Sequence, residues 1–307
     1  MKKVFLFLSI FVLVSLACDM SVTVAAPTSP APVPTNTTIP ATGAPTQISA
    51  SPTSLPATPV PSAIPTVQQP SFDGVEVSVD PLSIVLSPGV ASGARGLQFP
   101  RAEGEIATWE VTPGHIQLAL EGYRLQGKFH QPQIYVYPAQ AYAEMVPAAF
   151  ESIHRLNNIL YGPAASISND QLPLVPFFNA QQVFASNIQV IPFQNGSGVR
   201  FLTEYAQYAA SANNHDLFYH FQGVTRDGAY YIVAILPITA SMLVETSDAG
   251  AVLPPGGVPY PYMADPNADM QAYYASVIDL LNATPPEAFT PTINQLDLLI
   301  QSMRIAP

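Results

Sequence analysis

Cysteine is almost missing from this 307-residue chain: there is one, Cys18. Without a second thiol no intramolecular disulfide can form. Charge is scarce too, with Asp, Glu, Lys and Arg making up 10% of the residues. After Cys18 eight basic residues, of which Lys128 is the only lysine, stand against 21 acidic ones, a formal net charge of −13. Such a chain does not track a phosphate backbone, which excludes nucleic acid as a partner. Nor is it drawn by charge to an anionic membrane. Its field favours cations or neutral partners. Catalytic signatures are missing as well: there is no HExxH, no phosphate-cradling glycine loop and no dinucleotide fingerprint. No internal repeat is present. The apolar run from Val4 to Ala17 falls short of the ~20 residues that a membrane-spanning helix needs.

That run is nevertheless informative. Lys2 and Lys3 precede it, and the small residue Ala17 ends it at Cys18. A basic tip, a short apolar core and a small residue at the break are the parts of a secretory signal. Ordinary cleavage after Ala25 or Ala26, or a retained helix, are alternatives. A free thiol in an exported protein risks unwanted pairing, and acylation would consume it. Through Ser15-Leu16-Ala17-Cys18 the segment resembles a bacterial lipoprotein precursor, although Ser15 stands where that pattern prefers leucine. The resemblance implies cleavage before Cys18 and a diacylglycerol on its sulfur. The implied partner is the membrane, through the lipid, and the implied location is the outer face of the cytoplasmic membrane or the cell surface. Two acyl chains, at ~0.8 kcal/mol per buried methylene, suffice for stable attachment.

From Thr23 to Pro70 the chain is Pro, Thr, Ser, Ala and Val with a few other uncharged residues, and it contains no Asp, Glu, Lys or Arg. Recurrent proline excludes helix and a sheet interior, because it lacks the donor both require. What remains is an extended spacer rich in polyproline II, reaching on the order of 100–150 Å at most. Its Thr and Ser are candidate O-glycosylation positions, and Asn36-Thr37-Thr38 is a sequon. The expected organisation is a signal peptide over 1–17, a lipidated N-terminus over 18–22, a disordered tether over 23–70 and a globular part over 71–307. The globular part is long enough for one large domain or two small ones.

Its pattern predicts an α+β fold: a largely antiparallel sheet with helices packed on one face. Val75, Val77 and Val79 alternate with polar residues, SIVLS follows, and residues 87–104 read as loop. Strands are expected at IATWEV, which holds Trp109, at HIQLALEGY and at QIYVYP. Tyr142, Met145, Val146, Ala149, Ile153, Leu156 and Leu160 form a helical stripe, in which Pro147 marks either a kink or the start of a second helix. Asp227-Gly228 lies between two aromatic and branched runs, which is a hairpin signal. Its register opposes Arg226 to Ala229, placing Tyr219, Phe221 and Ile232 on a core face and His220, Gln222 and Tyr231 on a partly covered one. Stripes around 270–281 and 293–303 predict two closing helices, the second capped by Thr290 with Pro291 first.

Candidate sites are few. Asp265, Asn267 and Asp269 space oxygen ligands like the start of a calcium loop, but Met270 and Ser276 replace the required Gly and Glu. Helix capping by Asp265 is the competing account. His215, Asp216 and His220 are the densest histidine–acid group, and for them a hydrogen-bonded sheet role competes with general-base chemistry. His154 reads as structural. Ser197 sits between Gly196 and Gly198 in what reads as a turn and lacks the spacing of a nucleophile elbow. The proline-rich stretch around Tyr260 and Tyr262 is the best candidate contact surface, since aromatics held by prolines lose little entropy on binding.

These features lead to a lipid-anchored extracytoplasmic protein that displays a binding or structural domain, with no cofactor and a cell-wall, glycan or protein partner. The alternative is an extracytoplasmic hydrolase whose acids and histidines (Glu204, His215, Asp216, His220 and Asp227) converge only in the fold. The anchor is directly testable. Cys18→Ala should abolish incorporation of a palmitate analogue in metabolic labelling, and equal label in both proteins would remove the lipoprotein assignment.

Overall fold

The computed structural model describes residues 72–162, 166–262 and 264–307. The signal, Cys18 and the tether lie outside the described residues. In chain order the strands are β1 (Val75–Val79), β2 (Leu82–Leu86), β3 (Gly93–Phe99), β4 (His115–Glu121) and β5 (Gln133–Pro138). Helices α1 (Ala139–Met145) and α2 (Pro147–Tyr161) follow, then β6 (Gln181–Phe193), β7 (Gly196–Ala206), β8 (Phe218–Thr225), β9 (Tyr230–Pro237) and the short β10 (Thr239–Ala240). The chain closes with α3 (Met270–Ala283), β11 (Phe289–Thr290), α4 (Ile293–Gln301) and β12 (Arg304–Ile305).

This is an α+β fold. Seven strands form one sheet in the order β3-β4-β5-β9-β8-β7-β6, antiparallel at every pairing. Two meanders meet where β9 pairs with β5. A smaller antiparallel sheet, β1-β2-β12, packs into the same core as α3 and α4. The helices cover both faces of the large sheet, not one as the sequence pattern predicted. Helices α1 and α2 bury Tyr142, Ala149 and Leu156 against Phe201, Phe218, Tyr231 and Val233. On the opposite face α3 and α4 bury Val277, Leu281, Leu296 and Ile300 with Leu202, Tyr219, Phe221 and Ile232. One apolar stripe per helix says that each helix has a covered side, but not which side of the sheet it meets.

Double coverage explains the central hairpin. Fifteen of the sixteen residues of β8 and β9 are buried, so the face carrying His220, Gln222 and Tyr231 is fully covered where partial cover was expected. The register follows the sequence-based expectation, with Val224 opposite Tyr231. Gly228 adopts φ 72°, the left-handed conformation that makes glycine the natural occupant of this turn. Burying Gln222 requires partners, and an irregular segment supplies them. Gln222 Nε2 donates to the Pro173 carbonyl (2.8 Å), and Gln222 Oε1 accepts from Val175 N (3.2 Å) and the Tyr231 hydroxyl (2.6 Å). His220 Nε2 meets the Val175 carbonyl at 3.1 Å.

Several local expectations are corrected. Residues 93–99, read as loop, are β3, in which Gly93 and Gly96 interrupt the alternation. Trp109 lies in a turn, not a strand, and is partly exposed. Pro147 opens α2 as its first residue, so the stripe belongs to two helices. The cap of α4 is Thr292, not Thr290: Thr292 Oγ1 accepts from Gln295 N while Gln295 Oε1 accepts from Thr292 N, both at 3.1 Å. This reciprocal pair is a capping box. Gly196, Ser197 and Gly198 begin β7, and the turn is Gln194–Asn195. A Cβ on Gly198 would stand 2.4 Å from the Phe221 ring, so glycine here makes room for an aromatic side chain.

Gln222→Ala should strand Val175 N–H, the Pro173 carbonyl and the Tyr231 hydroxyl in a dry interior. The expected loss is about 2–4 kcal/mol of unfolding free energy, from buried polar groups left unpaired. Urea denaturation measures it, and a loss below about 1 kcal/mol would show that the segment re-pairs elsewhere.

Candidate functional site

The loop between β10 and α3 leaves Val252, Leu253 and Tyr262 exposed. It folds over residues 208–212 and forms a cleft of about 570 Å³. Tyr208, Leu253, Val258, Pro259, Tyr260, Pro261, Tyr262 and Tyr273 are among the lining residues. Tyrosine hydroxyls fix the floor. Tyr273 Oη accepts from Ala212 N (3.0 Å), Tyr274 Oη donates to the Ala210 carbonyl (2.7 Å), and Tyr260 Oη donates to the Ala209 carbonyl (2.9 Å). Burial raises the pKa of all three, Tyr273 to about 12, so these phenols stay neutral at physiological pH.

The two tyrosines singled out from the sequence therefore play different parts. Tyr260 is half-buried and packs edge-on against Tyr273 at 5.2 Å between centroids. Tyr262 is 78% exposed and Tyr208 70% exposed on the same cleft. Tyr208 was not singled out, because a tyrosine just beyond a strand looks like any sheet-flanking aromatic. Among the described residues Asp248 is the one charged residue lining the cleft, and its carboxylate accepts from the Thr246 hydroxyl at 2.8 Å. An apolar, aromatic wall with proline rings and a single acid suits a neutral or weakly cationic ligand with flat apolar faces.

The histidine–acid group is brought together only in part. His215 Nδ1 lies 2.6 Å from Asp216 Oδ1, and Asp216 Oδ2 accepts from Asn213 Nδ2 at 3.0 Å. Asn213 N in turn donates to Glu204 Oε1 at 2.7 Å. Glu204 is wholly enclosed. Desolvation holds its carboxyl well above the usual range, partly opposed by the Asn213 amide and reinforced by Asp216. His220 stands apart, buried among Phe201, Phe218 and the Val175 carbonyl, with its pKa pushed down to about 3 by desolvation. Asp227 lies beyond the other end of β8, where it accepts from the Thr225 hydroxyl and Ala229 N. The fold adds His130, which packs on Phe218 at 4.3 Å and is held near pKa 4 by burial. No signal in its local sequence, KFHQP, distinguished it.

Among the described residues no serine or threonine hydroxyl bonds a histidine, and no group of three or more His, Cys, Asp or Glu stands close enough to hold a metal. Asp265 Oδ1 accepts from the backbone and side-chain nitrogens of Asn267, making a local turn. The cap of α3 is Asp269, whose Oδ1 accepts from Ala272 N at 2.9 Å, not Asp265 as the sequence had it. The helix starts four residues later than expected because the proline begins a turn, not the helix. His154 pairs with Asn158 along the exposed side of α2.

No known protein family, curated protein or solved structure matches this chain.

The enclosed carboxyl gives a pH signature. With its pKa raised in the folded state, Glu204 binds a proton more tightly there than when unfolded. Its stabilisation is full below the unfolded value of about 4.5 and is lost as pH rises towards the folded value. Glu204→Gln keeps an acceptor for Asn213 N and removes that loss. Its melting temperature should exceed that of the wild type at pH 8, with the gap closing by pH 4. A constant difference across this range would contradict the buried-acid assignment.

Proposed function

We propose that this protein is a lipid-anchored extracytoplasmic protein that displays a non-catalytic binding domain on a proline-rich tether. In this reading the anchor on Cys18 holds the chain at the outer face of the cytoplasmic membrane or at the cell surface. The folded part meets a cell-wall glycan through the cleft beneath Tyr260 and Tyr262. The observation that carries the reading is the cleft: rigid tyrosine hydroxyls form its floor while Tyr208 and Tyr262 stand exposed at its edge. Exposed aromatics on a fixed scaffold are the usual makings of a contact surface, since little freedom is lost when a ligand settles on them. Sugar rings present apolar C–H faces that suit such rings, and the cleft's low charge suits a neutral polymer.

A hydrolase is the second reading, favoured by the close His215–Asp216 pair and its link to Glu204. It has less support. His215, Asp216 and Glu204 do not line the tyrosine cleft, and among the described residues no hydroxyl bonds His215.

Tyr262→Ala tests the first reading cleanly, because this side chain is exposed and makes no hydrogen bond among the described residues. Stability should stay within ~0.5 kcal/mol of the wild type. Retention on cell-wall glycan should fall severalfold in a pull-down with purified sacculi. Unchanged retention at unchanged stability would remove the cleft as the contact surface.

A further inference from the structure

The β6 edge of the sheet holds a second, polar cleft of about 710 Å³. It is built on a defect in β6, the edge strand. Ser186 pairs with Leu202 and Gln189 with Arg200, so Asn187 and Ile188 together oppose Phe201 alone. This is a β-bulge, a device that re-aims side chains and is common beside sites. Asn187 has φ 52°, the one non-glycine positive φ among the described residues. The bulge is firmly held: Asn187 N donates to Asn282 Oδ1 at 2.6 Å, and Asn187 Nδ2 donates to the Leu281 carbonyl at 3.2 Å.

Two oxygens at this bulge are enclosed yet have no partner, Ser186 Oγ and Asn187 Oδ1. Ser186 is 1% exposed, and both residues border the cleft. Buried polar atoms are nearly always paired, so adjacent unpaired ones ask for an explanation. Charge narrows the answer. Among the described residues Arg200 is the only charged one lining the cleft, and its guanidinium is already committed. Its Nε faces Asp297 at 3.3 Å, one terminal nitrogen donates to Gln189 Oε1 at 2.7 Å, and the other to the Asn187 carbonyl. Among the described residues no free charge remains for an anion or a cation, and no aromatic ring lines the cleft for a base to stack on.

We propose that the β6 bulge is a binding site for a neutral saccharide or polyol, with Ser186 and Asn187 as its hydrogen-bonding contacts. A hydroxyl both donates and accepts. Two adjacent hydroxyls can therefore satisfy the amide oxygen of Asn187 by donating and the Ser186 hydroxyl in either sense. Ile188, Val190 and Ile278 supply apolar wall for the C–H faces of a sugar ring. The volume falls in the range of small-molecule sites. This site is separate from the tyrosine cleft and does not rest on the function proposed for it.

The test titrates glucose, galactose and N-acetylglucosamine into the full chain and follows side-chain amide resonances by NMR. Glucuronate and glycylglycinamide serve as controls. Saturable shifts of the Asn187 and Asn282 amides with at least one neutral sugar are expected, weaker or missing with both controls. Ser186→Ala should lower that affinity at least tenfold with an unchanged or higher melting temperature, since the hydroxyl has no partner in the fold. Asn187→Gly keeps the left-handed backbone and should also lose the sugar, whereas Tyr262→Ala should not. No saturable shift with any neutral sugar up to about 50 mM, enough to register dissociation constants well above the ~1 mM scale, would overturn the proposal. So would equal or tighter binding of either control, or a lowered melting temperature in Ser186→Ala.

Discussion

The fold depends on covering one sheet on both faces. Strands β8 and β9 sit in its centre and are buried on each side, so every side chain they carry must fit a dry environment. Most are aliphatic or aromatic. Among the polar exceptions, His220 and Gln222 are the points where the second layer is fastened. Their polar atoms reach the backbone of residues 173–175 and tie an irregular segment to the sheet. Because an unpaired buried amide is costly, this segment has few alternative positions, and α1 and α2 pack around it.

The other face is organised by a second buried polar group. Asp297 on α4 faces Arg200 on β7 and accepts from the Tyr219 hydroxyl on β8. Helix α4 is thereby held in register with two strands. An enclosed ion pair contributes little net stability over an apolar contact of the same shape, but losing one partner is severe. Arg200 also fastens the bulge of β6 through Asn187 and Gln189. One guanidinium thus links helix packing to the shape of the sheet edge, where the polar cleft lies.

Both proposed contact sites lie at borders of the sheet's covering layers, where a layer stops and side chains remain open. The tyrosine cleft forms where the 242–262 loop lies against residues 208–212, and the polar cleft where β6 meets α3. Neither uses the buried histidines. His220 in β8 and His130 in the loop before β5 both pack on Phe218 and are held neutral by desolvation.

The sequence by itself determined the local alphabet of this protein. Period-two and period-three-to-four patterns located most strands and the α-helical stretches among the described residues, and Asp227-Gly228 set the register of the central hairpin, because these signals depend on near neighbours alone. It missed β3, where two glycines interrupt the alternation, and the two-residue strands β10, β11 and β12, it set a strand at Trp109 where there is a turn, and it placed the caps of α3 and α4 early, because several Asp and Thr residues stood near each start. Tyr260 and Tyr262 were legible as a rigid aromatic loop, and His215 with Asp216 as neighbours in the chain. Only the tertiary structure decided that helices flank both faces, that Tyr208 joins the cleft, that His130 lies beside His220, and that Ser186 and Asn187 border a cleft at a bulge. Each of these turns on which distant segments meet, and residue spacing carries no record of that.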